Sequence, residues 1–326
     1  MKRPVFFAIF LIISILFLLL LDKGTKSVEL ISPLLNQERV LGLNQWLPKA
    51  ISVQTNDPKI NAKAAFFISE AFNTSGVIDT KDGQTLYAKN EQERLPIASL
   101  VKVMTVLVAL EHKKMDDTFS VSQKATEMEP DEMILLPGET LTLKELLYGI
   151  FLVSANDGAE VLAEGTLRQA TRPLFESQGE QDSREKFIKL MNDKAKQLGM
   201  ENSYFANPTG LDEDIANSYS TAYDLAILTR YLIRNYPEVV EISKTPYIFI
   251  PETDKHQSYE MWSGINLLTS YPGVIGFKTG YTPEVGLTLI TLARKDGYEV
   301  IGVLLGSDNR RDEARELLDY SFKKLN

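Results

Sequence analysis

The chain opens on an unbroken apolar run. Residues 4 to 21 carry no charge, from Pro4-Val5-Phe6-Phe7 to Leu18-Leu19-Leu20-Leu21. That length is just enough to cross a bilayer as a helix. Residues 22 to about 60 then mix polar side chains with short apolar pieces and hold Pro33, Pro48 and Pro58. They keep no long period and read as a stalk with at most one short helix.

From about residue 61 the pattern changes. Ala64-Ala65-Phe66-Phe67-Ile68 and Gly76-Val77-Ile78 read as buried strands, or as a short helix and a strand. Lys81-Asp82-Gly83-Gln84 is a hairpin turn from which Thr85-Leu86-Tyr87-Ala88 returns as a strand. A nearly continuous apolar helix covers about 97 to 113. Leu143 to Val153 is helical by its spacing and breaks at Ser154-Ala155-Asn156-Asp157-Gly158. A new helix starts at about 157, with Asn156 or Asp157 placed to cap it. Further helices are expected over 184–198 and 220–235, so that about 115–240 is nearly all helical. Strands return at Val274 to Thr279 and in a hairpin, Leu287 to Ala293 and Glu299 to Leu305, about Lys295-Asp296-Gly297. A helix over 311–324 follows. Strands from both ends with helices between them predict an α+β fold with one sheet built from the two ends.

Composition narrows the function. The net charge of −9 gives nucleic-acid binding no electrostatic support. With no cysteine there is no disulfide framework, no thiolate nucleophile and no cysteine metal site. The two histidines, His112 and His256, fall in polar stretches and are expected to be exposed. Neither has a ligand partner four residues on, so a His-based zinc site and a Ser-His-Asp triad are poorly supported, and no metal or cofactor is expected. Lys2 and Arg3 precede the apolar run, which orients residues 1–3 to the cytoplasm and everything after Asp22 outside. The competing reading of 4–21 is a cleaved signal peptide, whose small-residue cleavage pattern is missing.

Chemistry gathers in three motifs in order: Ser99-Leu100-Val101-Lys102, Ser154-Ala155-Asn156, and Lys278-Thr279-Gly280 followed by Tyr281. Together they are the parts of a serine acyl-transfer site with lysine as base. Each alone is weak. Ser183 to Lys186, in a charged stretch read as a loop leading into a helix, and Ser321 to Lys324, in the last helical turn, repeat the first spacing. Ser307-Asp308-Asn309 repeats the second and reads as the cap of the last helix. Ser99 differs because an apolar helix follows it, with Lys102 one turn on along the same face. A lone lysine on a buried face needs a reason, since an unpaired buried charge is costly.

These residues resemble the D-alanyl-D-alanine carboxypeptidases, low-molecular-mass penicillin-binding proteins of the serine β-lactamase and transpeptidase superfamily. The likeness covers about 64–324. It extends to Met191-Asn192-Asp193-Lys194-Ala195, to Phe205-Ala206-Asn207-Pro208-Thr209-Gly210-Leu211, and to Ser220-Thr221-Ala222-Tyr223-Asp224. Packing and turn chemistry suffice to explain those middle segments. The resemblance implies an antiparallel sheet flanked by helices, a mostly helical subdomain and an active site between them, with residues 61–326 as the catalytic domain and 22–60 as linker. Many members continue into a β-rich domain and a C-terminal anchor. Here the N-terminal segment is expected to do the anchoring, in a bacterial cell membrane with the catalytic domain outside. Some members carry an arginine upstream of the third motif. Ser263-Gly264-Ile265-Asn266-Leu267-Leu268 holds none.

The implied substrate is a peptidoglycan stem peptide ending in D-Ala-D-Ala, with β-lactams as inhibitors and a role in cell-wall synthesis and cell shape. Ser99 attacks the penultimate carbonyl. Lys102, its charged form disfavoured by burial and by Lys278, takes the proton. Ser154 relays a proton to the leaving amine, and Asn156 orients Lys102 and the substrate amide. Lys278 and Thr279 hold the carboxylate, Gly280 allows close approach, and the N–H groups of Ser99 and Tyr281 hold the oxyanion. A DD-endopeptidase would use the same machinery. A class A β-lactamase needs a Glu-x-x-Leu-Asn string that is missing. A wall-binding protein with a relic site fits poorly with intact motifs.

Overall fold

The computed structural model describes residues 57–72, 83–128, 130, 132–168, 177–211 and 218–326. The apolar run 4–21, the stalk up to residue 56, the 76–78 segment and the Lys81-Asp82 half of the first turn lie outside them. Among the described residues no helix is long and apolar enough to cross a membrane.

In chain order the elements are β1 (Ala64–Ala71), β2 (Gln84–Lys89), α1 (Lys102–His112), β3 (Thr118–Ser120), β4 (Thr140–Thr142), α2 (Leu143–Leu152), α3 (Asn156–Gly165), α4 (Ser177–Gln197) and α5 (Ala222–Asn235). Then come α6 (Glu238–Ser243), β5 (Tyr247–Ile250), β6 (Tyr259–Trp262), α7 (Leu267–Ser270), β7 (Val274–Thr282), β8 (Gly286–Lys295), β9 (Tyr298–Ser307) and α8 (Arg310–Leu325).

The main sheet has five strands in the order β2-β1-β9-β8-β7, all antiparallel. It joins the two ends of the domain as expected. Asp296 and Gly297, both at positive φ, close the β8–β9 hairpin. Side chains alternate between two cores. Phe66, Ile68, Ile290, Leu292, Ile301 and Val303 face the helices. Phe67, Leu289, Ala293, Val300 and Leu304 face Leu317, Leu318 and Phe322 of α8. Both faces are covered, and β7 stands at one edge.

Helix starts follow local chemistry. Thr142 and Glu145 form a reciprocal capping box at the head of α2. Thr221 caps α5 through Asp224 N, and Asn309 caps α8 through Asp312 N. The start of α3 differs from expectation. Its N-cap is Ala155, with no side-chain cap bond. Asp157 turns instead to the loop before it and accepts from Met133 N and Leu135 N, each at 3.1 Å.

Three further expectations are corrected. The 115–240 section is not nearly all helical, because β3 and β4 pair within it and an irregular stretch joins them. Three-residue strands are too short to leave a readable alternation. Ser183 lies inside α4, not in a loop before it. His256 is buried rather than exposed: Nδ1 lies 2.7 Å from Gln257 O and the ring sits beside Tyr259. Its charged flanking residues disguised that burial, while His112 is exposed as read.

Candidate active site

Ser99 sits in a 3-10 turn, Ala98–Val101, that passes into α1 at Lys102. The expected single helix over 97–113 thus opens with one tighter turn, and its α-helical part begins at Lys102. Ala98 is held at φ 48°, a left-handed conformation unusual for alanine. Its carbonyl is packed against Gly210, where an added Cβ would lie 2.1 Å from Ala98 O. Gly210 itself has φ +81°, so glycine is required there twice over.

Lys102 is fully buried, at 0% exposure. Its Nζ donates to Ser99 Oγ at 2.9 Å and to the carbonyl of Thr209 at 2.7 Å. Thr105, one turn on, donates to Pro208 O at 2.7 Å. The Phe205–Leu211 segment is therefore fastened along α1. Asn207 shapes it: Oδ1 accepts from Thr209 N and Gly210 N, and Nδ2 donates to Leu211 O. The sequence accounts for this segment by packing and turn chemistry, and gives no sign of the carbonyl that meets the lysine.

A second lysine–serine pair stands beside the first motif's turn. Lys278, 1% exposed, donates to Ser154 Oγ at 2.8 Å and to Thr279 O at 2.7 Å. Ser154, at φ 63°, ends the α2 segment in a conformation that swings its hydroxyl toward β7. Asn156 donates from Nδ2 to Pro130 O, and among the described residues its buried Oδ1 has no hydrogen-bond partner. No hydrogen bond from Lys102 to that amide oxygen is seen among the described residues. Burial pushes the Asp157 carboxyl up from its ordinary range, while the backbone N–H groups it accepts hold it down in part.

Lys278, Thr279 and Gly280 pair with Ile290, Leu289 and Thr288 on one side of β7. The Ser99 turn packs on the sheet face toward which Gly280 of β7 and Thr288 of β8 both point. A Cβ at Gly280 would lie 3.1 Å from Ser99 N and 2.5 Å from Thr288 Oγ1, so only glycine permits this approach. Tyr281 is exposed at the rim and Thr279 is half-buried. The structure thus brings the three motifs together, and it leaves Ser183 and Ser321 on other helices.

One cation arrives from a direction the sequence reading did not consider. Arg310, the first residue of α8, donates from Nη1 to Gly280 O at 2.9 Å and to Thr288 O at 3.4 Å. The signal for it was the Asn309 cap. A helix starting there, after a strand two places from β7, must set its first residue across the ends of β8 and β7.

Comparison with known proteins agrees with this geometry. The D-alanyl-D-alanine carboxypeptidase family matches residues 54–309. The chain belongs to that family. It is 35% identical over 275 residues to the D-alanyl-D-alanine carboxypeptidase DacF of Bacillus subtilis, covering 82% of this chain and 66% of that relative. It is 31% identical over 252 residues to DacB2 of Mycobacterium tuberculosis, covering 76% of this chain and 80% of the relative. Among solved structures, the Streptomyces K15 DD-transpeptidase superposes with TM-score 0.70 at 26% identity, over 82% of this chain and 100% of that one. Penicillin-binding protein D2 of Listeria monocytogenes, in an ampicillin-bound form, gives 0.61 at 30% identity over 82% and 99%. As in this family, the carboxypeptidase fold here sets a helical core against one face of an antiparallel sheet.

Proposed function

We infer that the chain is a serine-type D-Ala-D-Ala carboxypeptidase that removes the terminal D-alanine from peptidoglycan stem pentapeptides. The observation that carries this reading is the 2.9 Å contact from a fully buried Lys102 amine to Ser99 Oγ. A serine hydroxyl is a weak nucleophile until a base in contact takes its proton. Neutral Lys102 takes it as Oγ bonds to the penultimate carbonyl carbon. The oxyanion lies between the N–H groups of Ser99 and Tyr281. The pair Lys278–Ser154 passes a proton to the departing D-Ala nitrogen. Asn156 Oδ1 accepts the N–H of the bound peptide. Thr279, Lys278 and Arg310 receive the terminal carboxylate, and Arg310 supplies the cation missing from Ser263–Leu268. Water then releases the acyl-enzyme, and a β-lactam acylates the same serine.

The test is D-Ala release from a soluble pentapeptide. A chain that labels with penicillin yet releases no D-Ala contradicts the reading. A second reading is transfer of the acyl group to an amine, because the Streptomyces K15 structure is named a DD-transpeptidase. Adding glycine as acceptor and following the transfer product separates the two. Cleavage of a cross-linked dimer would reveal endopeptidase action.

We further propose that residues 4–21 anchor the chain in the membrane with the catalytic domain outside. The charge-free run after Lys2 and Arg3 supports this. Carbonate-resistant membrane fractionation of the full chain, and its loss when 1–21 are removed, tests it.

A further inference from the structure

The β5–β6 hairpin carries an aromatic outer face that the acyl-transfer site does not use. Tyr247 stands opposite Trp262, and Phe249 opposite Glu260. By strand alternation these four share one face, while Ile248, Ile250, Tyr259 and Met261 pack inward against the helical core. Tyr247, Phe249 and Trp262 are 43%, 55% and 59% exposed. The Tyr247 and Trp262 rings lie 5.0 Å apart between centroids, inclined at 45°. Large rings gathered in water on one small hairpin mark a contact surface.

The chemistry of the face selects its occupant. None of the four residues is aliphatic or cationic. The one charge is the Glu260 carboxylate, which accepts from Tyr247 Oη at 2.8 Å. A carboxylate among the rings repels anionic lipid and anionic protein. A neutral polyhydroxylated chain suits both features: its C–H faces stack on the rings, and its hydroxyl and amide groups bond the carboxylate and the indole N–H.

Position supplies the second argument. From Trp262 the chain runs through Ser263 to Gly264, whose N–H donates to Leu152 O at 3.0 Å, two residues before Ser154. A Cβ built on Gly264 would lie 3.8 Å from Thr279 Oγ1. The aromatic face therefore begins two residues from the floor of the site, on the side of Thr279. We propose that it binds the glycan strand to which the stem peptide is attached, a saccharide subsite continuous with the peptide site. This rests on the carboxypeptidase reading above.

The experiment uses the full chain in detergent and three substrates: soluble pentapeptide, intact sacculi, and glycan stripped of its peptides by an amidase, its freed lactyl carboxyls capped as neutral amides and its strands coupled to beads so that it sediments. Wild type is expected to co-sediment with stripped glycan. Trp262→Ala and Phe249→Ser should each bind it at least tenfold more weakly and release D-Ala from intact sacculi at least fivefold more slowly. Both should keep pentapeptide release within twofold and melt at the wild-type temperature. Variants that bind stripped glycan as wild type does overturn the proposal, as do variants that lose pentapeptide and sacculus release equally. It is also overturned if the aromatic residues matter only for binding anionic vesicles or for self-association. A wild-type chain inert on pentapeptide sinks the carboxypeptidase reading and this subsite with it. A chain active on pentapeptide but unable to bind stripped glycan sinks the subsite alone.

Discussion

The proposed mechanism centres on an amine sealed from water at position 102. That amine faces a hydroxyl on one side and a peptide carbonyl on the other. As the proposed base it acts in its neutral form, with a lone pair for the serine proton while an N–H bonds Thr209 O. Lys102→Ala should lower the penicillin acylation rate by about 10²–10⁴-fold, the usual worth of a positioned base, with initial binding partly kept. Stopped-flow acylation within tenfold of wild type would contradict that role. Arg310→Leu should raise KM for pentapeptide and lower kcat/KM by about 10- to 100-fold, the size of one charged hydrogen bond. An unchanged KM removes Arg310 from the carboxylate site. Ser99, Lys102, Ser154 and the Lys278 triplet were legible because their chemistry lives in side chains at fixed spacings. The Thr209 carbonyl was not, because a backbone acceptor leaves no letter in the sequence. Arg310 was passed over because it lies downstream of the triplet, close in space and 32 positions on in sequence.

Elements set these residues with turns and caps more than with packing alone. Gly210→Ala would place a Cβ on Ala98 O and force a left-handed alanine, a backbone cost of about 1–2 kcal/mol before any clash. It should lower the melting temperature and slow acylation, since the same turn carries Ser99. Normal acylation in a folded variant would show that the 205–211 segment does not aim the nucleophile. Thr142→Ala breaks the capping box of α2 and should cost about 1 kcal/mol in urea unfolding, with acylation little changed. Long elements such as α1, α2, β8 and β9 are legible because their apolar runs extend over ten residues or more between clear breaks. The β5–β6 hairpin and α6 leave no clear signal in the sequence, and the β3–β4 stretch reads as helix. Strands of three or four residues offer too few alternations to be distinguished from loops.

At the scale of the molecule, one sheet with both faces covered holds the ends of the domain together, carries the Ser99 turn on one face and leaves β7 at an edge. Buried acids elsewhere tie the helical part together. Asp224 accepts from Asn202 N and Ser203 Oγ, and burial raises its carboxyl from the ordinary 3.8. A raised carboxyl binds its proton more tightly in the folded chain than in the unfolded one. Its contribution to stability is full below pH 3.8 and is lost as pH rises through the raised folded value. Asp224→Asn should flatten that part of the stability–pH profile in urea titrations from pH 4 upward. A profile parallel to wild type would contradict the assignment. The sheet built from the two ends of the domain is legible in the sequence, because its strands are short apolar runs bounded by turn residues on both sides of the helical stretch. The account as a whole is tested most directly by mass spectrometry of the intact chain after ampicillin. It predicts one covalent adduct, mapped to the peptide carrying Ser99 and absent from Ser99→Ala. An adduct that persists in Ser99→Ala, or one that maps to Ser154, contradicts it.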